Sequence, residues 1–409
     1  MRLVGFVQGA PRGTPGIVSV PMILMNTARL GHRVVLLIGG PPSLGSDRFL
    51  VKDVEKALAR SEGNGTFGVV SVKASELWSF CPSILWRFNK VVREADFITL
   101  HSLYPFPVLA GYLLARFHKK PYGIYLHGVL SPFQRTISVR KKRLYNKLFV
   151  DGMLRNAAVL FFSTEGEREG TADLKLSAPS VVVPDGFDPS EFETLPERGM
   201  FRKQFFGGHS GPLVLFLARL NVTKGLDLLI KAMKGVIAAR PDVRLAIVGP
   251  PYPTSFSKDV IGWVKENGIE SQTVLTGAAY KEMRLQAFAD ADVYVLPSQA
   301  ENFGFSVFEA MACGVPVVVS ETLSLAKEFG KSGAAFVLPR TSEAFTDAIL
   351  KLISQPKLRQ EMGDCGRGFA KLYSPEKTGA KVAKTVESIL NRRPLPGDVS
   401  PITPMSIEP

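Results

Sequence analysis

The chain has 409 residues, 45% hydrophobic and 21% charged, with a formal net charge of +13. That length fits a large soluble protein of two or three domains with ample core. Three scattered cysteines, Cys81, Cys313 and Cys365, exclude a disulfide framework or a zinc site and point to a reducing compartment.

The apolar run at residues 3–7 is too short for a secretory signal core and suits a first strand. Further strands are expected at 34–38, 97–101, 123–127 and 159–163, the first extending over 3–8. They alternate with amphipathic or basic helical stretches, the pattern of a doubly wound sheet. The loop between the first strand and a helix at 18–30 holds Gly13 and Gly16, with Pro11 and Pro15 beside them. It lacks the Gly-x-Gly-x-x-Gly fingerprint, and no P-loop occurs in the chain. The longest apolar stretch, 103–114, is cut by Pro105 and Pro107, so no membrane span is expected and the chain should stay in the cytoplasm. His101 and His127 each end a strand, and Gly128 after His127 permits close backbone approach to a ligand. A strand-end histidine is commonly a hydrogen-bonded structural residue, so position alone leaves its role open.

Residues 101–150 carry Arg116, Lys119, Lys120, Arg135, Arg140, Lys141, Lys142, Arg143 and Lys147 and no carboxylate. From 135 to 155 these cations alternate with Ile137, Val139, Leu144, Tyr145, Leu148, Phe149 and Met153 at helical spacing. A basic amphipathic helix suits an anionic membrane surface, which is the reading preferred here. A solvated helix face and a basic wall for phosphorylated acceptors are the alternatives. No nucleic-acid-binding motif accompanies the patch, so nucleic acid is not an expected partner.

The first domain is placed at 1–188, and the Pro- and Gly-rich stretch 189–211 reads as a linker. A second α/β domain follows over 212–375, then a helix at 376–393 and a proline-rich disordered tail at 394–409. Within the second domain the apolar run 293–296 stops at Pro297, and a polar loop with Glu301 and Gly304 follows. Phe305, Phe308, Met311 and Ala312 then recur at helical spacing up to Gly314, and Val317 to Val319 resume as a strand. In such a unit the loop opens at the carboxyl edge of the sheet, where ligands bind. The helix start offers unpaired N–H groups to a diphosphate. Glu309, about one turn inside the helix, could accept a ribose diol, and Glu301 could hold sugar hydroxyls. Alone, two such glutamates are more commonly ordinary surface residues.

Glu301-Asn302-Phe303-Gly304 followed by Glu309-Ala310-Met311-Ala312-Cys313-Gly314 resembles the signature of family-4 retaining glycosyltransferases of the GT-B fold. Arg219 and Lys224-Gly225 look like that family's Arg…Lys-Gly element. Stretches 246–250, 274–277 and 291–293 fall where the family has its strand ends, so the likeness is dense over 213–375. Leu126-His127-Gly128-Val129-Leu130 resembles its His-Gly-x-Leu element, and Pro184-Asp185-Gly186-Phe187-Asp188 its Pro-Asn-Gly-Val-Asp connection, with Asp185 in place of Asn. The resemblance implies two Rossmann-like domains facing each other across a cleft, with the last helix crossing back to the first. It implies catalytic roles for Arg219, Lys224, Glu301 and His127. It also implies substrate contacts at Glu309, Asn302, Phe303, Gly304, Phe305, Gly16, Gly249 and Ala279. His101 would line the acceptor side, and Glu165 would be structural.

Transfer from a nucleoside diphosphate sugar leaves negative charge on the departing diphosphate, which Arg219, Lys224 and helix-start amides can stabilise. No metal-ligand spacing occurs, and no metal or cofactor is expected besides the donor itself. No nucleophile is nominated for double displacement, so the front-face route that the resemblance implies, attack by the acceptor hydroxyl on the leaving-group side, is favoured. The expected function is retaining, nucleotide-sugar-dependent hexosyl transfer to a glycan or lipid-linked acceptor in envelope polysaccharide assembly, on the inner face of the membrane. A non-hydrolysing sugar-nucleotide epimerase and an inactive sugar-binding protein of the same fold are the rivals.

Overall fold

Runs of β-branched and aromatic residues build two all-parallel sheets. The computed structural model describes residues 1–8, 19–40, 65–75, 78–251 and 254–396, the side chain of Lys141 excepted. The first sheet contains β1 Arg2–Gln8, β2 Arg33–Gly40, β3 Thr66–Lys73, β4 Phe97–His101, β5 Tyr122–Tyr125, β6 Val159–Phe162 and β7 Ser180–Val182. They lie in the order β3-β2-β1-β4-β5-β6-β7. The second contains β8 Leu213–Leu217, β9 Arg244–Val248, β10 Thr273–Gly277, β11 Val293–Leu296, β12 Val317–Ser320 and β13 Ala335–Leu338, ordered β10-β9-β8-β11-β12-β13. Parallel strands are covered by helices on both faces, so β4 and β11 are buried along their whole length. Register pairs Leu3 with Phe97 and Val293 with Val214. The strand order reverses between β1 and β4 and between β8 and β11, and the carboxyl ends at those two points are where such sheets bind ligands.

Among the described residues the chain divides into two units, Met1–Gly186 with residues 373–396, and Phe187–Leu372. In the first, helix Pro375–Leu390 packs against helix Ser19–Ala28. Thr27 donates to the carbonyl of Gly379 at 3.4 Å, and Arg29 and His32 lie 3.9 and 3.6 Å from Glu376 and Glu387. The first sheet has two strands more than periodicity suggests. β3 is an edge strand in which only Phe67 and Val72 are buried, and β7 has three residues, so neither shows a full apolar period. β5 ends at Tyr125 instead of His127, because His127 and Gly128 turn into left-handed backbone at φ 48° and 77°.

Residues 189–211, which read as a linker, are sewn into the second unit. Helix Met200–Phe206 is held there by Arg202, whose N–H and Nη2 meet Asp290 and Asp292 at 2.7 Å each. Its prolines and glycines mark turns. The basic stretch is not one continuous helix either. Pro132–Thr136 stops at Ile137, Ser138 is left-handed at φ 56°, and Val139–Tyr145 continues through a π turn at Asn146–Val150 into Asp151–Arg155. Val150 and Met153 are buried, while Leu144 and Leu148 are 65% and 61% exposed beside Arg143 and Lys147. The loop with Gly16 and the tail from 397 lie outside the described residues. Among the described residues no helix is long and apolar enough to cross a membrane.

Candidate functional site

The second sheet's reversal point gathers most of the expected residues. After β8 the chain passes Arg219, which is half-buried, into a tight turn at Val222–Lys224 capped by Asn221. Gly225, at φ 70°, stands against the next loop: a Cβ there would lie 2.1 Å from the carbonyl oxygen of Pro297. Any side chain would push the β8 and β11 loops apart. Gln299 N–H, donating to the Thr223 carbonyl at 2.7 Å, completes the seam. Gly249, at φ 144°, plays the same part on the other side, where a Cβ would meet the carbonyl of Ala218 at 1.9 Å. The role the structure gives Gly249 is therefore to let β9 approach the backbone that carries Arg219.

This seam puts Lys224 on Glu301. Its Nζ donates to Oε2, and the two side chains are 14% and 19% exposed. The Glu301 carbonyl accepts from Ser324 N–H at 2.9 Å, which fixes the loop from below. Helix Phe305–Ala312 begins at Gly304, and the hydroxyl of Tyr294 lies 2.7 Å from Ser306 Oγ in its first turn and 3.1 Å from the Leu217 carbonyl, donating to the carbonyl and accepting from the serine. The helix start is thereby tied to both β8 and β11.

Glu309 meets Arg284 Nη1 at 2.9 Å, and Nη2 of Arg284 meets Glu191 at 2.8 Å. Burial pushes the Glu309 carboxyl up to about 7; Arg284 opposes the shift and Glu191 adds to it. Asn302 Oδ1 is buried and finds no hydrogen-bond partner among the described residues. Phe303, expected as a substrate contact, turns its ring inward. It is 3% exposed and stacks on Phe308 at 4.5 Å, so its ring belongs to the core. Phe305 is half-buried, as is Ala279 in the loop leaving β10. Arg284 and Glu191 were not legible as site residues. One lies within a helix and the other in a proline-bounded turn, and neither falls in a motif.

The first unit holds a second cluster at the ends of β4, β5 and β6. His127 Nε2 lies 3.2 Å from His101 Nδ1, and His127 Nδ1 lies 3.6 Å from Asp185 Oδ1. Tyr125 stacks on both imidazoles. Glu167 accepts from the N–H groups of Gly128 and, at 2.6 Å, Ser163. Burial lowers His101 well below the usual histidine range and lowers His127 too, with the Glu167 carboxylate opposing in the second case. It raises Glu167, and it pushes Asp185 up to about 7. Glu165 pairs with Arg168 at 2.7 Å on the surface. The Thr164-x-x-Glu167 spacing of a capping box was the available signal for Glu167. Among the described residues no three His, Cys, Asp or Glu side chains gather as metal ligands do.

The model of glycosyl transferases group 1 matches residues 200–369, and that of the glycosyl transferase 4-like domain matches residues 18–186. A D-inositol 3-phosphate glycosyltransferase of Segniliparus rotundus is 28% identical over 199 residues, 48% of this chain and 44% of that protein. A phosphatidyl-myo-inositol mannosyltransferase of Mycobacterium leprae is 24% identical over 322 residues, 76% of this chain and 78% of that one. The chain spans about half the length of several of the curated relatives it matches. The structure of Anabaena HepE in complex with UDP and glucose superposes with a TM-score of 0.74 at 20% identity, covering 95% of this chain and 100% of that one. Two family models in succession and two sheets of this strand order lead to one conclusion: the chain belongs to the group 1 glycosyltransferases, with the GT-B fold.

Proposed function

We propose that the protein is a retaining glycosyltransferase that moves a sugar from a nucleoside diphosphate sugar to a hydroxyl of a glycan or lipid-linked acceptor, in cell-envelope polysaccharide assembly. The observation that carries this reading is the meeting of Lys224 and Glu301 beside Arg219 and the Gly304 helix start, at the carboxyl edge where β8 and β11 part. A cation, a carboxylate and unpaired helix amides within one seam suit the two ends of a sugar diphosphate. Lys224, Arg219 and the amides stabilise the charge that grows on the departing diphosphate. Glu301 holds hydroxyls of the transferred sugar, and Glu309 the ribose. The acceptor hydroxyl attacks on the leaving-group side and the donor phosphate takes its proton, so positioning and charge stabilisation do the work without a metal or cofactor. The UDP and glucose bound to HepE and the mannosyl transfer named for the M. leprae relative agree with a nucleoside diphosphate hexose as donor.

The exposed Ile137, Val139, Leu144 and Leu148 among the cations of 135–155 support a peripheral seat on the anionic inner face of the cell membrane, in the cytoplasm. The test is incubation with a panel of nucleoside diphosphate sugars and lipid-linked acceptors. Transfer with the donor's anomeric configuration kept in the product supports the reading. Inversion removes the front-face route, and epimerisation without transfer replaces a transferase by an epimerase.

A further inference from the structure

A row of three titratable groups runs through the first unit, Asp185, His127 and His101, with gaps of 3.6 and 3.2 Å. Asp185 and His101 are 4% and 1% exposed, while the His127 side chain keeps 21%. Nε2 of His101 is buried with no hydrogen-bond partner. An orphaned N–H there costs more than a bare lone pair, so His101 carries its proton on Nδ1 and donates to Nε2 of His127. His127 must then be protonated on Nδ1, which faces Asp185 Oδ1 across an ion-pair distance of 3.6 Å; that oxygen is itself buried and makes no hydrogen bond among the described residues. Its backbone is left-handed at φ 48°, a conformation that a residue with a Cβ keeps only where its surroundings over-determine it. The remaining groups packed on the row are Tyr125, stacked on both rings, Ser163, bonded to Asp185, and Glu167, committed to two backbone N–H groups.

We propose that Asp185 and His101 are positioning residues for His127, holding it in a single tautomer and a single ring orientation from opposite sides. The inference rests on reading His127 as part of the transferase site. A carboxylate only accepts, so it selects the Nδ1–H tautomer, whereas an amide can donate or accept and selects neither.

The test uses the full chain with 15N-labelled histidine, whose five residues can be assigned by single substitutions. Ring 15N–1H correlation at pH 8 should show His127 protonated on Nδ1 and bare on Nε2. In Asp185→Asn His101 still donates to Nε2, so the Nδ1–H tautomer should remain while the Nδ1 resonance of His127 moves. A His127 protonated on Nε2 in the wild type, or an unmoved Nδ1 resonance in the variant, overturns the proposal. Kinetics supply the second readout. Wild-type kcat should fall below about pH 7, where Asp185 takes up a proton, and Asp185→Asn should lose that fall with kcat about tenfold lower at pH 8 and KM for the donor near wild type. A pH profile identical in both proteins counts against it. If Asp185→Asn melts early, His101→Asn is measured instead: the Nε2 resonance of His127 should move, and an unmoved one refutes the row. Absence of any transfer by the wild type would sink the functional reading while leaving the ring spectra to judge the pairing.

Discussion

Glu309 provides a prediction whose size follows from its surroundings. To accept both hydroxyls of a ribose the carboxyl must be ionised, yet burial holds it up to about 7 in the free protein despite Arg284 at 2.9 Å. At that midpoint roughly nine-tenths is ionised at pH 8 and about one-tenth at pH 6, so the dissociation constant of the donor should rise about tenfold between them. Calorimetry with a nucleoside diphosphate sugar, whose diester phosphates do not titrate in this range, measures it directly. Near pH 7 binding should also release about half a proton, seen as a buffer-dependent heat. Glu309→Gln should bind more weakly at pH 8 and show no slope. A flat wild-type profile, or the same slope in the variant, removes Glu309 from the ribose.

The same shift has a stability consequence with a definite sign. The folded carboxyl titrates near 7 and the unfolded one near its ordinary 4.5, so between those values the folded state holds a proton that the unfolded chain has released. Stability is highest below 4.5, falls as pH rises through the window and levels above it, by up to about 3 kcal/mol. Glu309→Gln should abolish that fall in pH-dependent melting of the second unit.

Arg219→Ala and Lys224→Ala should each lower turnover by about 10²–10³, the first with the fold intact by circular dichroism and the second with an earlier melt, since Glu301 loses its partner; near wild-type turnover on the true substrate pair excludes that residue. Glu301→Ala should weaken the sugar donor far more than the bare nucleoside diphosphate, and equal losses on both ligands would show that its partner is not the sugar. Activity should persist in excess chelator, and complete loss restored by magnesium contradicts the proposed charge stabilisation. On anionic vesicles, replacing Arg140, Arg143 and Lys147 by Ser should remove about 3 kcal/mol of affinity at low salt. Lys142 is spared because it donates to the Gln134 carbonyl and lies over the Tyr104 ring. A wild type that ignores anionic vesicles ends the membrane reading.

The sheets were largely legible because parallel strands buried on both faces appear as unbroken apolar runs, as at 97–101 and 293–296. What escaped was structure whose signal is shared with something else. β3 and β7 lack a full apolar period, since edge position and shortness leave few side chains to bury. The prolines and glycines of 189–211 look like a linker, whereas Arg202 and its two aspartates decide the packing from 88 and 90 residues away. In the site, Lys224 and Glu301 could be named because a motif spacing marks them. Arg284 could not, because its partners Glu191 and Glu309 meet it only through the fold. Phe303 sits within the motif yet packs inward, since the residue before a helix-capping glycine can point either way.

The ligand-free ion pairs themselves bear on how a donor is received. Lys224 and Glu301 are mostly buried and satisfy one another, as do Arg284 and Glu309. A charge left alone at such depth is costly, and removing one partner of a buried pair is strongly destabilising. On the proposed reading a sugar diphosphate resolves the first pair by exchange: phosphate replaces the Glu301 carboxylate on Lys224, and sugar hydroxyls replace the ammonium on Glu301. Neither group is stranded at any stage. The nucleotide alone supplies only the first half of that exchange and leaves Glu301 without a partner. The intact donor should therefore bind more tightly than the nucleoside diphosphate, despite the extra charge of the latter, and Glu301→Gln should erase that preference by removing the charge that needs a partner. Equal preference in wild type and variant would mean the pair stays closed in the complex, with Lys224 serving Glu301 and not the phosphate.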